Sequence, residues 1–202
     1  MSISFDEIID RHGTSCLKYD FAVERGYPKD VLPFWVADMD FRAPVPVIDA
    51  LTARTAHGIF GYTQVKDDYF NVLRDWFRTR HAWTVQRAEL VITPGVVFAI
   101  ATAIRAYTAP NEAVIIQQPV YYPFASMIRQ NGRTLIDSPL RFADGRYSID
   151  FADFEQKIID HKVKLFVLCS PHNPVGRVWT RAELEQLAAI CLRHHVIVVA
   201  DE

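Results

Sequence analysis

The sequence contains few of the features that mark several large classes of protein. Its three cysteines, Cys16, Cys169 and Cys191, are far apart along 202 residues. This odd number and wide spacing fit neither a disulfide framework nor a zinc site. No apolar run approaches the roughly 20 residues that cross a membrane, and residues 1–10 lack the charged-then-apolar pattern of a signal peptide. We therefore expect a cytoplasmic protein with no membrane partner.

An excess of charge of one sign is also lacking. Lys and Arg together number 22 and Asp and Glu 24, so the formal net charge is -2. The chain has no basic field that would attract nucleic acid. Half of the residues are hydrophobic and 23% are charged, which is typical of a globular domain. We therefore expect a globular protein without a nucleic-acid partner.

What the sequence does contain, from about residue 90, is an alternation of strand and helix patterns. The apolar runs predict strands at 90–93, 113–117, 133–137, 163–169 and 195–200, and the stretches between them predict helices near 96–107, 122–131, 151–160 and 181–194. Such alternation predicts a mostly parallel sheet with helices on both faces. Ligands bind these sheets at the carboxyl ends of the strands, so that edge is where a site is expected.

Unusual residues follow four of these strands. Gly95 lies directly before a helix, whose free N–H groups suit a phosphate. Tyr121 stands in a proline-flanked loop, where its ring can stack on a planar ligand. Asn173 can donate a hydrogen bond, while its neighbour His172 fits a structural loop residue better than a metal ligand. Asp201 follows five apolar residues and needs a cationic or hydrogen-bonding partner. Each feature alone fits ordinary loop packing, but together they match the parts of pyridoxal phosphate.

The sequence resembles the MalY/PatB-type cystathionine β-lyases of the class I/II aminotransferase superfamily. The resemblance covers essentially the whole chain, in the family's order. The Asn-Pro-x-Gly pattern is common to the superfamily, whereas WVADMDF, TPGVV and PVYYPF are more specific to the lyase-like branch. The matching segments are residues 31–41 (VLPFWVADMDF), 58–63 (GIFGYT), 93–97 (TPGVV), 118–124 (QPVYYPF), 171–179 (PHNPVGRVW) and 200–202 (ADE).

This resemblance implies a fold and a cofactor. The fold is α/β, a three-layer, mostly parallel fold of the PLP-dependent transferase-like, aspartate aminotransferase type. Residues 1–50 are expected to contribute to the small domain and residues 51–202 to form the first part of the large domain. The implied cofactor is pyridoxal 5′-phosphate (PLP), bound in the large domain of a homodimer.

The resemblance also assigns roles around the cofactor phosphate. The backbone N–H groups of Val96 and Val97, at the helix start after Gly95, are implied to hold the phosphate. Tyr62 is implied to reach the phosphate of the neighbouring subunit, since the family's active sites lie at a dimer interface.

Further roles concern the cofactor ring and the substrate. Tyr121 is implied to stack on the pyridine ring, and Asn173 to hydrogen-bond its phenolic oxygen. Asp201 is implied to pair with the protonated ring nitrogen, which keeps the ring an electron sink. Trp35 and Ala37 are implied to line the substrate pocket.

The implied activity is that of a carbon–sulfur β-lyase. Its substrate is a sulfur-containing amino acid of the cystathionine type, and its products are a thiol, pyruvate and ammonia. Two alternatives stay open: an aminotransferase of the same fold, and a non-catalytic remnant that binds PLP. A nucleotide-binding Rossmann domain is disfavoured because no G-x-G-x-x-G follows the first predicted strand.

The lysine that carries the cofactor as a Schiff base lies, in this family, in a Ser-x-x-Lys or Ser-x-Ser-Lys segment. None of the lysines lies in that context; they are Lys18, Lys29, Lys66, Lys157, Lys162 and Lys164. We therefore expect the lysine beyond Glu202, no catalytic residue within this N-terminal half, and no turnover by these residues alone. We also expect the first strand to be detached and the 195–200 strand to be an open edge.

Overall fold

The computed structural model describes residues 4–202. The chain divides into two compact units, one reaching to Val72 and the other spanning Leu73–Glu202. Among the described residues, no helix combines the length and apolar character needed to cross a bilayer. The sequence-based division near residue 50 stays a prediction.

The first unit contains a 3-10 turn at Val23–Arg25, helix α1 (Val45–His57) and the start of helix α2 (Asp67–His81). Helix α1 begins after Pro44 and has Pro46 in its first turn, where a missing N–H costs nothing. It ends at Gly58, whose left-handed φ of 73° closes the last turn.

The second unit is built on a parallel sheet. Its four strands are β1 (Ala113–Ile116), β2 (Thr134–Asp137), β5 (Leu165–Cys169) and β6 (Ile197–Asp201), in the order β2-β1-β5-β6. Every pair in this sheet is parallel. Strands β3 (Arg141–Ala143) and β4 (Arg146–Ser148) form a separate antiparallel hairpin, which the sequence patterns did not predict.

Helices cover both faces of this sheet. They are α3 (Val96–Tyr107), α4 (Pro123–Gln130), α5 (Phe151–His161) and α6 (Arg181–Arg193). Successive strand residues point to opposite faces, and accordingly Val114 and Ile115 belong to two different core clusters. One cluster includes Ile104 of α3 and Phe124 of α4; the other includes residues of α5 and α6. The predicted three-layer arrangement is confirmed.

The strand predicted at 90–93 is not formed. A 3-10 turn occupies Arg87–Glu89, and the side chains of Val91 and Ile92 after it are exposed. An apolar run becomes a strand only where its backbone groups find a partner, and none of the strands within residues 4–202 pairs with it.

Candidate functional site

The carboxyl ends of β1, β5 and β6 lie at one edge of the sheet, because these strands are parallel neighbours. Asp201, the last residue of β6, is in register with Cys169, the last residue of β5. Tyr121 and Asn173 lie in the loops that follow β1 and β5. The topology thus brings the backbone of three predicted site residues, Tyr121, Asn173 and Asp201, to the edge where a ligand is expected.

His172 ties two of these loops together. Its Nε2 lies 3.0 Å from the backbone oxygen of Pro119, in the loop after β1. Because a carbonyl oxygen only accepts, Nε2 carries the proton. Burial lowers the pKa of the imidazole, which is therefore neutral at pH 7. The ring also meets Trp179 edge to face at 5.3 Å. His172 is a buried structural link, as the sequence indicated.

Asp201 is a partly buried carboxylate with little to balance its charge. Its polar side-chain neighbour is the thiol of Cys169, with Sγ 3.9 Å from Oδ2. Within residues 4–202 no Lys, Arg or His forms an ion pair with it. Burial raises the pKa of this carboxyl. A carboxylate in that position fits a cationic ligand group, since a positive charge would offset the cost of its desolvation.

The N-terminus of α3 offers free backbone donors. Gly95, which precedes the helix, has φ 133° and ψ 161°, a conformation that essentially only glycine adopts. The first helical hydrogen bond runs from the N–H of Ala99 to the oxygen of Gly95, at 3.1 Å. Among the described residues, the N–H groups of Val96 and Val97 have no hydrogen-bond acceptor, and no side chain caps the helix. Such an end favours an anion.

Tyr121 lies on the same side of the sheet as this helix. Its ring packs against the core cluster that contains Ile100 of α3 and Cys169 of β5. The ring also meets Phe124 edge to face at 5.8 Å, which restricts its orientation. Tyr121 is therefore a fixed aromatic ring near the edge that carries Asp201.

Asn173 is held through its backbone, while its side chain is exposed. Its N–H donates to the Sγ of Cys169 at 3.5 Å. Across the described chain, no hydrogen bond or ring contact joins the side chains of Tyr121, Asn173 and Asp201. Their common role in binding one ligand stays a prediction.

In the first unit, the segment with Trp35 and Ala37 has an unusual backbone. Val36 between them has a positive φ of 60°, which is rare for a β-branched residue. The ring of Trp35 stacks on Tyr27, with centroids 4.7 Å apart. The next residues are held by charge: Arg11 contacts the carboxylates of both Asp38 and Asp40.

Lys18 completes this charge network. It is only 7% exposed, and its Nζ donates to the backbone oxygen of Asp38 at 2.9 Å. The hydrogen bond from Arg11 lowers the pKa of the Asp40 carboxyl. Arg11 and Lys18 were not predicted from the sequence, because they lie 27 and 20 residues before Asp38 and no local pattern links them.

Tyr62 lies in an open groove of about 980 Å³ in the first unit, together with Arg54 and Lys66. The guanidinium Nη2 of Arg54 is 3.4 Å from the hydroxyl of Thr63. The tyrosyl ring itself is fully exposed. Asp67 and Asp68 line the same groove, so its two cations are matched by two carboxylates. The sequence patterns gave no signal for Arg54.

The family model of the class I and II aminotransferases matches residues 29–202. Since this match covers most of the sequence, the chain belongs to that family. Its curated relatives include cystathionine beta-lyase PatB of Bacillus subtilis, which is 46% identical over 200 residues. The match covers 99% of this chain and 52% of PatB. Protein MalY of Escherichia coli is 38% identical, with 98% of this chain and 51% of MalY covered.

Solved structures agree with this assignment. The PLP-bound putative aminotransferase of Clostridium difficile has a TM-score of 0.92 at 45% identity, over 100% of this chain and 52% of that one. Cystalysin of Treponema denticola, which contains pyridoxal 5′-phosphate, has a TM-score of 0.91 at 36% identity, with the same coverage. The chain thus spans about half the length of the relatives that it matches.

Proposed function

We propose that this chain is the cofactor-binding half of a PLP-dependent carbon–sulfur β-lyase of the cystathionine β-lyase type. The substrate would be an amino acid with sulfur on its β-carbon, and the products a thiol, pyruvate and ammonia. PatB is named a cystathionine beta-lyase, and a PLP-bound C-S lyase of Staphylococcus hominis has a TM-score of 0.90 at 33% identity. These names support the lyase assignment.

One observation carries the proposal: the Asp201 carboxylate at the end of β6 is partly buried and has no cationic partner in the described chain. A protonated pyridine nitrogen supplies the missing charge. The free N–H groups at the start of α3 fit a phosphate, and the fixed ring of Tyr121 fits a planar heterocycle. These residues therefore fit PLP.

Each residue would have a distinct task. PLP, when bound, supplies an electron sink for the charge left by removal of a substrate α-proton. Asp201 would keep the ring nitrogen protonated, and Asn173 would donate a hydrogen bond to the phenolic oxygen. Val96 and Val97 would hold the phosphate through their N–H groups.

The remaining predicted residues lie in the first unit. Trp35 and Ala37 would line the substrate pocket. Tyr62, with Arg54 beside it, would contact the phosphate bound by the other subunit of a homodimer.

An aminotransferase is the second candidate, because the Clostridium difficile structure with 45% identity is named a putative aminotransferase. The two reactions share the residues above and differ in their products. A lyase releases pyruvate and thiol, whereas an aminotransferase exchanges an amino group for a keto group.

A chimaera separates these candidates. Residues 1–202 would be joined to the second half of PatB, which supplies the part of the relative that this chain does not cover. We expect pyruvate and thiol from cystathionine in equal amounts, and little keto-acid exchange. The matched control is the same chimaera with Asp201→Asn, which should lose at least about a hundredfold in rate because the ring charge is no longer balanced. Keto-acid exchange without pyruvate would establish the aminotransferase instead.

Residues 1–202 alone should give no pyruvate, because none of their lysines lies in the family's serine-lysine context. PLP bound by this chain and then treated with borohydride should be released on denaturation, because non-covalent binding leaves no aldimine to be reduced to a stable lysine adduct. Release of pyruvate from a thioether amino acid by the purified 202-residue chain would contradict this proposal.

A further inference from the structure

Cys169 occupies a position that none of the roles above explains. It is the last residue of β5, it is only 3% exposed, and it is in register with Asp201. The N–H of Ser170 donates to the backbone oxygen of Asp201 at 3.0 Å, which ties the two strand ends together. Because register partners on parallel strands share a face, the thiol and the carboxylate point to the same side.

The thiol contacts the loop after β5 and the last residue of β6. Its Sγ lies 3.4 Å from the oxygen of Pro171, 3.5 Å from the N–H of Asn173 and 3.9 Å from Oδ2 of Asp201. A thiol has one proton, so it accepts from Asn173 and donates to one of the two oxygens. An ionised carboxylate is the stronger acceptor. The thiol of Cys169 thus links Asn173, the residue proposed for the phenolic oxygen, with Asp201, the residue proposed for the ring nitrogen.

Two further features determine the position of Cys169 and the protonation of its thiol. The indole Nε1 of Trp179 donates to the backbone oxygen of Cys169 at 3.0 Å, which anchors the strand end. Burial, together with the nearby Asp201 carboxylate, raises the pKa of the thiol. The thiol therefore keeps its proton near neutral pH and acts as a donor.

We propose that Cys169 is a positioning residue, whose thiol orients the Asp201 carboxylate toward the ring nitrogen of the bound cofactor. This proposal rests on the proposed function, because it needs PLP to occupy the edge of the sheet. It goes further by assigning a role to a residue that does not itself touch the cofactor.

The test measures binding of pyridoxine 5′-phosphate to the 202-residue chain by equilibrium dialysis. This probe has the phosphate, the phenolic oxygen and the ring nitrogen of PLP but no aldehyde, so it cannot react with lysines. Cys169→Ala should bind it about fivefold more weakly, the effect of losing about one hydrogen bond. The matched control is Cys191→Ala. Cys191 is equally buried, but its thiol has no hydrogen-bond partner in the described chain, so its loss should change affinity less than about twofold.

A double-mutant cycle with Asp201→Asn separates positioning from general packing. Asp201→Asn alone should weaken binding at least about tenfold. If Cys169 acts through the carboxylate, then Cys169→Ala should cause no further loss in the Asp201→Asn background. Should the alanine variant fail to fold by circular dichroism, Cys169→Val, which fills the space but cannot donate, gives the same comparison.

The outcomes distinguish this proposal from the one it rests on. If the unmodified chain does not bind the probe at millimolar concentration, the proposed function fails. If it binds, and Cys169→Ala behaves like Cys191→Ala, only the role of Cys169 is overturned. If Cys169→Ala still weakens binding about fivefold in the Asp201→Asn background, an action of Cys169 through Asp201 is likewise overturned.

Discussion

At the scale of single residues, the candidate site consists of groups that are costly for folding alone. Asp201 is a partly buried carboxylate with no cationic partner among residues 4–202, and Gly95 adopts a conformation closed to other residues. Such features cluster at functional sites, where a ligand supplies what the fold leaves out. We therefore expect substitutions of Asp201 and of Gly95 to change both the stability of the chain and its binding of the cofactor.

Asp201→Asn should stabilise the chain at pH 7 while weakening cofactor binding at least about tenfold. Burial raises the pKa of the folded carboxyl above its ordinary value of 3.8, so the folded state holds its proton more tightly than the unfolded state. The wild type therefore loses stability as pH rises through the raised pKa of Asp201, and this loss is absent below pH 3.8. We expect a gain of about 0.5 kcal/mol at pH 7, small because the group is partly exposed, and a shrinking gain toward pH 4. Urea unfolding of the wild type and of Asp201→Asn between pH 4 and pH 7 measures this gain in stability. A gain that does not change with pH would show that it does not come from the raised pKa of Asp201.

Gly95→Ala should destabilise the second unit through its backbone. An added Cβ would meet no atom within 4 Å, so the cost comes from the φ of 133° and not from crowding. We expect a loss of about 1–3 kcal/mol together with weaker binding of pyridoxine 5′-phosphate. Gly61→Ala is the control, because Gly61 also has free space and no positive φ. Equal unfolding free energies for the two variants would disprove the strain argument.

At the scale of secondary-structure elements, His172 joins the loop after β1 to the loop after β5. The imidazole donates to Pro119 and packs on Trp179. This buried side chain therefore contributes to the relative placement of the loops with Tyr121 and Asn173.

His172→Phe should cost about 1–3 kcal/mol at pH 7.5, since it leaves the oxygen of Pro119 without its donor. The pKa of the folded imidazole lies below 6.5, so the unfolded chain binds more protons below that pH. The wild type therefore loses stability as pH falls below 6.5, and the variant does not share this loss. The stability gap should narrow between pH 7.5 and 5.5 in denaturant titrations. Because the other histidines are common to both proteins, a constant gap would show that His172 is not buried in its neutral form.

At the scale of the whole molecule, the edge of β6 is the most exposed part of the sheet. Within residues 4–202, β6 pairs only with β5, and the apolar side chains of Ile197 and Val198 are more than a third exposed. An open apolar edge invites pairing with another chain.

We expect residues 1–202 to self-associate through this edge as their concentration rises. The N–H of Ile197 bonds to Lys164, so the alternation of a parallel ladder turns the N–H of Val198 outward. Val198→Pro removes this outward donor and should shift sedimentation-velocity profiles toward the monomer. Val199→Pro is the contrasting variant, because it removes an inward N–H and should cost about 3 kcal/mol or more. Identical profiles for the wild type and Val198→Pro would exclude this edge as the contact.

The sequence by itself determined the elements that depend on local chemistry. Gly58 closes the last turn of α1, and Thr180 with Glu183 forms a capping box at the start of α6. The order of apolar runs also gave four of the five predicted strands and the edge that carries Asp201. These signals are local, because hydrophobic periodicity and cap hydrogen bonds involve residues a few positions apart.

Only the tertiary structure decided the features that join distant residues. It set Cys169 beside Asp201 and linked Arg11 and Lys18 to the acidic segment after Trp35. It also gave residues 90–93 no partner among the strands of the described part of the chain. Register and strand pairing depend on which backbone groups meet in space, and no spacing along the chain encodes that meeting. The sequence therefore predicted the chemistry of the candidate site, and the fold determined which groups lie beside the predicted residues.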